Sequence, residues 1–241
     1  MRTLFASFFI ASFGFFGCST SEDSTQRDAE TTHDAATDMA PPDAKPDSHA
    51  DVTPDQNVSP DVSPDVPAES SEPSLFATIV TSKGTIRVKL ADDASPITVE
   101  NFQRYADAQF FDGLIFHRVI AGFMIQGGGM EPGMKTRAPL FPPIVNEASA
   151  SGLSNLRGTI AMARTNQPDS ATSQFFINTV DNTFLDPGQS SPAGYAVFGN
   201  VVEGMDIVDE IEAVATHTVG IYEDVPVEDV VIESLRVTTE P

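Results

Sequence analysis

Between residues 19 and 74 this chain has almost nothing with which to build a core. The stretch is made of Asp, Ser, Thr, Pro and Ala, has no aromatic residue, and offers little more than scattered valines to bury. It carries 14 acids against two bases, Arg27 and Lys45, with a loose Pro-Asp recurrence at Pro42, Pro46, Pro54, Pro60 and Pro64. Ordering one residue's backbone costs about 1–2 kcal/mol, and so little apolar surface cannot offset that. The composition therefore predicts an unstructured acidic tether, extended by its prolines and by like-charge repulsion. Its 56 residues would reach at most about 170 Å at ~3.1 Å each, and nearer ~40 Å as a coil. Any folded core has to come from residues 75–241.

Those 167 residues hold all the aromatics that follow Cys18, and they suffice for one well-buried core. FATIV and TIRVKL flank Ser82-Lys83-Gly84 as alternating runs about a short turn, which predicts a β-hairpin. Ser95-Pro96 offers a cap and a first-turn proline, and Val99, Phe102, Tyr105 and Ala106 then recur at helical spacing. Short apolar runs follow, punctuated by Gly, Pro and Asn: LIFHRVI, FMIQGG, GTIAMA, SQFFINT, YAVFGNV and a closing VVIESLRV. Within residues 203–214, Met205, Val208 and Ile211 predict a second helix. Many short strands and two helices point to a mostly antiparallel barrel or sandwich.

The first residues are excluded from that fold. Arg2 gives a positive start, and LFASFFIASFGFF over Leu4–Phe16 is apolar but too short to span a bilayer. It ends at FFGC, which holds the only cysteine, Cys18. The arrangement resembles a bacterial lipoprotein signal, with Phe15 and Phe16 standing where that pattern usually has Leu and a small residue. The resemblance implies that 1–17 is a signal peptide and that Cys18 is the lipidated first residue of an 18–74 tether. An ordinary secretory signal with an incidental cysteine is the alternative. A lone exported cysteine has no internal disulfide partner, whereas acylation would give it a purpose. The protein is then expected to be exported, periplasmic or in the cell envelope, touching a membrane only through its lipid anchor.

A net charge of −22, from 35 acidic and 13 basic residues, argues against nucleic acid as a partner, because phosphate would repel it. Gly127-Gly128-Gly129 lacks the Lys of a phosphate loop and reads as a tight turn. His33 and His49 lie in the tether, while His117 and His217 lack metal-ligand spacing, so no metal is expected and His117 reads as a hydrogen-bonded core or sheet histidine. No nucleophile elbow is present, and the one thiol lies outside the domain.

FHRVIAGFMIQGG, residues 116–128, places Arg118 and Gln126 in an otherwise apolar run. Ala121-Gly122 divides it into two short strands that can fold toward each other, and Met124 and Gln126 share a face because strand side chains alternate. That face could hold a guanidinium, an amide and a thioether beside Phe123. Composition leaves Arg118 open between a buried structural ion and a functional group.

That run, together with GTIAMARTNQPDSATSQFFINTVDNTFLD and GYAVFGNVVEGMD in the same order and separation, resembles the cyclophilin family of peptidyl-prolyl cis-trans isomerases, in its bacterial periplasmic branch, over essentially all of 75–241. The resemblance implies a closed eight-stranded antiparallel β-barrel capped by two α-helices. It also implies isomerase activity on proline-containing peptides and unfolded exported proteins, without a cofactor; a proline-peptide-binding chaperone or scaffold with little turnover is the alternative. Monomer is the default. Carried over by position, Arg118 matches the catalytic arginine, and Phe123, Met124, Phe176 and Leu185 match the walls of the proline pocket. Gln126 matches the glutamine that positions arginine and substrate, and Gln174 lies at another groove position. Ala163 and Arg164 match a pair whose backbone contacts the peptide, although many relatives have Asn at the second place. Phe184 stands where many eukaryotic members have Trp, implying weak cyclosporin binding, and Tyr195 stands where they have a rim His. Phe175 and Phe198 are expected to pack in the core.

Overall fold

The computed structural model describes residues 74–240. The signal segment 1–17, Cys18 and the tether up to residue 73 lie outside the described residues. Around Ser82-Lys83 the chain reverses as the sequence signals. β1 (Ser74–Thr81) and β2 (Gly84–Leu90) pair antiparallel, with Thr81 facing Gly84. Thr81 Oγ1 closes the turn: it accepts from the Lys83 and Gly84 amides, both at 3.1 Å, and donates to Gly84 O at 2.8 Å.

α1 (Pro96–Asp107) follows, burying the predicted Val99, Phe102, Tyr105 and Ala106 together with Thr98 and Asn101. Its capping differs from the prediction. Ser95 occupies the N-cap position, but its hydroxyl donates to Val197 O at 2.8 Å and leaves the helix amides alone. The carboxylate of Glu147 takes them from across the fold, accepting from Ile97 N at 3.2 Å, Thr98 N at 2.7 Å and Thr98 Oγ1 at 2.6 Å. Phe102 then carries the helix into the core, its ring 5.0 Å from Phe198, 5.2 Å from Phe111 and edge-on to Phe175 at 5.5 Å.

The chain continues through β3 (Arg118–Ile120), β4 (Met124–Gly127), the two-residue β5 (Met130–Glu131) and β6 (Lys135–Thr136), and a single turn, α2 (Ala148–Ser151). Next come β7 (Thr159–Met162), β8 (Phe175–Asn178), a 3-10 turn at Thr183–Leu185 and β9 (Val197–Glu203). The predicted second helix is α3 (Met205–Glu212), which buries Val208 and Ile211. A hairpin of β10 (Thr216–Val219) and β11 (Tyr222–Pro226) precedes the last strand, β12 (Ile232–Glu240). No helix among the described residues is long and apolar enough to cross a membrane.

Eight strands form one antiparallel sheet in the order β12-β1-β2-β9-β7-β8-β4-β3. The expected closed barrel is corrected here to a curled sheet. Its edges, β3 and β12, share no continuous ladder and meet only in the segments just before them, at an Ile115–Val231 bridge. There Phe116 N donates to Val230 O at 2.9 Å and Ile232 N to Leu114 O at 2.7 Å. The reason is length. β3 has only three residues, too few to run a ladder along the nine-residue β12.

Strand alternation gives the sheet two apolar faces. Ile125, Ile160, Met162, Phe175, Ile177 and Phe198 point into the main core, and Phe175 and Phe198 are fully buried, as predicted. Their neighbours Met124, Ala161, Phe176 and Val197 point the other way, into a second apolar cluster with Leu185 and Tyr195. The candidate site residues of the sequence lie on or around this second face.

Candidate active site on the second face of the sheet

Cross-strand register sets out the site. Arg118 faces Gln126, Gln126 faces Phe176, Phe176 faces Ala161, and Ala161 faces Val197. One row of side chains thus crosses five strands, polar at its outer end and apolar further in. The break at Ala121-Gly122 falls between β3 and β4, as the sequence predicts.

Above that row is a groove of about 450 Å³, partly open to solvent. Met124, Phe176 and Leu185 form its apolar base and are almost wholly buried, while Phe123 and Ala163 are half-buried at its sides. Tyr195 adds an aromatic wall, its ring edge-on to Phe176 at 5.8 Å. Arg118, Gln126 and Arg164 supply the polar lining. Nine of the residues singled out in the sequence therefore meet in one groove.

The other two stand behind it. Gln174 accepts a hydrogen bond from Gln126 Nε2 at 2.9 Å and packs so closely on Gly129 that a Cβ there would lie 2.6 Å from its side chain. The Gly127-Gly128-Gly129 run is thus more than a turn. Gly128 has φ +86° and a Cβ on it would meet Ser173 O at 2.6 Å, so glycine lets the Gln174 segment approach. Phe184 stacks on Phe123 with ring centroids 5.7 Å apart.

The two guanidiniums are held differently. Arg118 has Asp224 Oδ2 3.8 Å from its Nε, an ion pair too long to be a hydrogen bond, and its side chain is 30% exposed. Its N–H donors are therefore uncommitted among the described residues. Arg164 is fixed by Nε to Gly194 O at 2.9 Å, Nη1 to Thr165 O at 2.9 Å and Nη2 to Ser191 Oγ at 2.8 Å. It also lies over the Tyr195 ring, 4.4 Å from the centroid. Burial pushes the Tyr195 hydroxyl's pKa up, while the charges of Arg164 and Arg118 oppose the rise.

Beside the site, His117 is buried, and its backbone amide donates to Gln126 O at 3.0 Å. The expectation of a hydrogen-bonded histidine is only half right, because His117 Nδ1 is buried without a partner. Burial lowers this imidazole from 6.5 to about 4, the Ile115 backbone opposes the shift, and the Arg118 charge adds to it.

Sequence reasoning missed several supports. Asp224 holds φ 61° on the β10–β11 hairpin, 106 positions beyond Arg118, with no local pattern to connect them. Asn182 Nδ2 donates to Phe123 O at 2.8 Å and to Asn178 Oδ1 at 2.8 Å. Asp186 accepts from Asn155 N at 2.8 Å and Asn155 Nδ2 at 2.9 Å, and from Ser154 Oγ. Burial would raise the Asp186 pKa, but these bonds outweigh it and hold the carboxyl low. Asn182 and Asp186 stood within the matched run, polar residues flanking Phe184-Leu185, and that was the available signal.

A shallow apolar slot with a few convergent donors suits an extended peptide that inserts one compact apolar side chain. The chain therefore falls first into the class of peptide-binding β-proteins. The chain belongs to the cyclophilin-type peptidyl-prolyl cis-trans isomerases: the family model "Cyclophilin type peptidyl-prolyl cis-trans isomerase/CLD" matches residues 76–237. Peptidyl-prolyl cis-trans isomerase B of Escherichia coli is 56% identical over 163 residues, covering 67% of this chain and 98% of the relative. Peptidyl-prolyl cis-trans isomerase A of Dickeya dadantii is 52% identical over 171 residues, covering 71% and 88%. A Cryptosporidium parvum cyclophilin type isomerase, crystallised in the presence of the dipeptide Ala-Pro, superposes with a TM-score of 0.58 at 23% identity, covering 68% of this chain and 98% of that one. This last likeness speaks for the fold. The activity is peptidyl-prolyl cis-trans isomerisation.

Proposed function

We propose that Arg118 accelerates X-Pro rotation by stabilising the twisted amide while Phe123, Met124, Phe176 and Leu185 hold the proline ring. An X-Pro bond rotates through a state without amide resonance, over a barrier of ~18–20 kcal/mol, and takes tens of seconds or more unaided. Twisting pyramidalises the prolyl nitrogen and gives it a lone pair. A guanidinium beside that nitrogen can donate to the lone pair only in the twisted state, so it binds the transition state better than either planar isomer. No bond to carbon forms or breaks.

The observation that carries this reading is the uncommitted Arg118 guanidinium directly across from Gln126 at the edge of an apolar slot. Gln126, tied to Gln174, is assigned to the substrate backbone. The backbone of Ala163 and Arg164 is assigned to the peptide on one side of the bond, with Tyr195 as the aromatic wall and Phe184 backing Phe123. Turnover at ~10³ per second against ~10⁻² uncatalysed would need about 7 kcal/mol. One charge-assisted hydrogen bond supplies ~1.5–3 kcal/mol, so positioning in the slot has to provide much of the rest.

The substrates we assign are X-Pro segments of exported proteins, met outside the cytoplasm by an enzyme tethered through Cys18. The support for this part is the signal-like 1–17 segment and the acidic tether. The catalytic reading is tested by following isomerisation of a neutral X-Pro peptide with Arg118→Ala beside the parent. A fall of about 10- to 150-fold is expected, the worth of that one bond, and equal rates would sink the assignment.

A further inference from the structure

Between residues 74 and 240 there are 21 acidic and 10 basic residues. Most of the basic ones stand within 4 Å of a carboxylate. Lys89, Arg104 and Arg164 have no such partner among the described residues. Arg104 lies over the Phe141 ring, 4.1 Å from its centroid, and Lys89 is exposed on β2. Only Arg164 lines the groove.

Its geometry is that of a fixed receptor for an anion. A guanidinium has five N–H donors, and three here are spent on Gly194 O, Thr165 O and Ser191 Oγ. The acceptors are two carbonyls and a hydroxyl, so they fix the group's orientation without neutralising it. The Tyr195 ring beneath it leaves two donors and a full charge on a side chain that has already lost its rotamer freedom. Arg118 lines the same groove, so two cations face it.

We propose that Arg164 makes this groove selective for peptides carrying a carboxylate next to the proline, an assignment that rests on the groove being the isomerase site proposed above. The selectivity runs against the charge of the molecule. Net negative charge concentrates cationic peptides around a protein and repels anionic ones. Whole-molecule electrostatics therefore favours a Lys-flanked proline, and a preference for Asp has to come from a local cation.

The test uses the full chain and three peptides that differ only in having Asp, Ala or Lys beside the proline, synthesised once with that residue before it and once after. The parent is expected to turn over the Asp peptide of one series about tenfold faster than the Lys peptide, in kcat/KM. Arg164→Gln should bring that ratio to one or below, whatever its absolute rates, and Arg164→Lys should keep at least part of it. A parent ratio at or below one in both series overturns the proposal. So does an Arg164→Gln variant in which all peptides fall by one factor, because Arg164 then only holds the loop at Ser191–Gly194. The Ala peptide separates the two readings, since its turnover by the parent reports the isomerase site alone.

Discussion

At the scale of single residues, period-2 alternation made the site legible where both partners lie in one hairpin. Arg118, Met124 and Gln126 could be placed together because two strands and a glycine break fit within thirteen residues. Asp224 could not, since only the tertiary fold brings it to Arg118. An ion pair this exposed is worth at most about 1 kcal/mol, and the proposed mechanism assigns Asp224 the positioning of Arg118. Asp224→Asn keeps a residue that tolerates positive φ and is expected to lower kcat two- to fivefold, by about that energy. KM and the urea midpoint should stay put; a midpoint that falls in step with kcat would mark a merely structural role. His117 sets a pH dependence of stability. Its folded pKa of about 4 lies below the ordinary 6.5, so the unfolded chain takes up the proton first as pH falls. Stability is therefore full above about 6.5 and declines toward 4 by roughly 3 kcal/mol. Urea midpoints of the parent should already drop between about pH 6.5 and 5, and those of His117→Leu should stay nearly flat over that part, before carboxylates such as Asp186 begin to titrate.

At the scale of elements, strong local patterns were enough for the β1–β2 hairpin, α1 and α3. What failed was each feature set by a distant residue or too short to show a period. α2 has four residues, barely one turn, and its sequence ASAS has no apolar stripe. The cap of α1 went astray because Ser95 is an ordinary capping residue by type, yet its hydroxyl is drawn to β9 while Glu147 arrives from 49 positions beyond Thr98. A carboxylate suits that place, since a helix N-terminus carries unpaired amides and a partial positive charge. Glu147→Ala should therefore destabilise the domain by about 1–2 kcal/mol, read as a lower urea midpoint at pH 7. Ser95→Ala should also destabilise it, through the lost bond to Val197, so the discriminating measurement is amide exchange at Ile97 and Thr98. Only the Glu147 change should speed exchange there while β9 stays protected.

At the scale of the whole molecule, sequence resemblance implied a closed barrel because matched blocks report which strands exist. Closure depends on whether the first and last edges are long enough to pair, and a three-residue β3 leaves a curled sheet with one bridge across its seam. The groove does not depend on that seam, since its row runs over β3, β4, β8, β7 and β9. Among the described residues, none before position 118 lines it. The division of labour proposed for the chain follows from this. Deleting residues 19–73 takes away 14 acids and two bases and moves the formal charge from −22 to −10, yet leaves every groove residue and the whole of β1 in place. Isomerisation of a neutral X-Pro peptide should stay within about twofold of the parent, because long-range charge acts chiefly on the encounter with charged ligands. Cys18→Ala should do the reverse, keeping peptide turnover and moving the protein from the membrane to the soluble fraction, since acyl chains supply about 0.8 kcal/mol per buried CH₂. A deletion that abolished turnover of the neutral peptide would make the tether part of the enzyme. Continued membrane association of Cys18→Ala would remove the anchor.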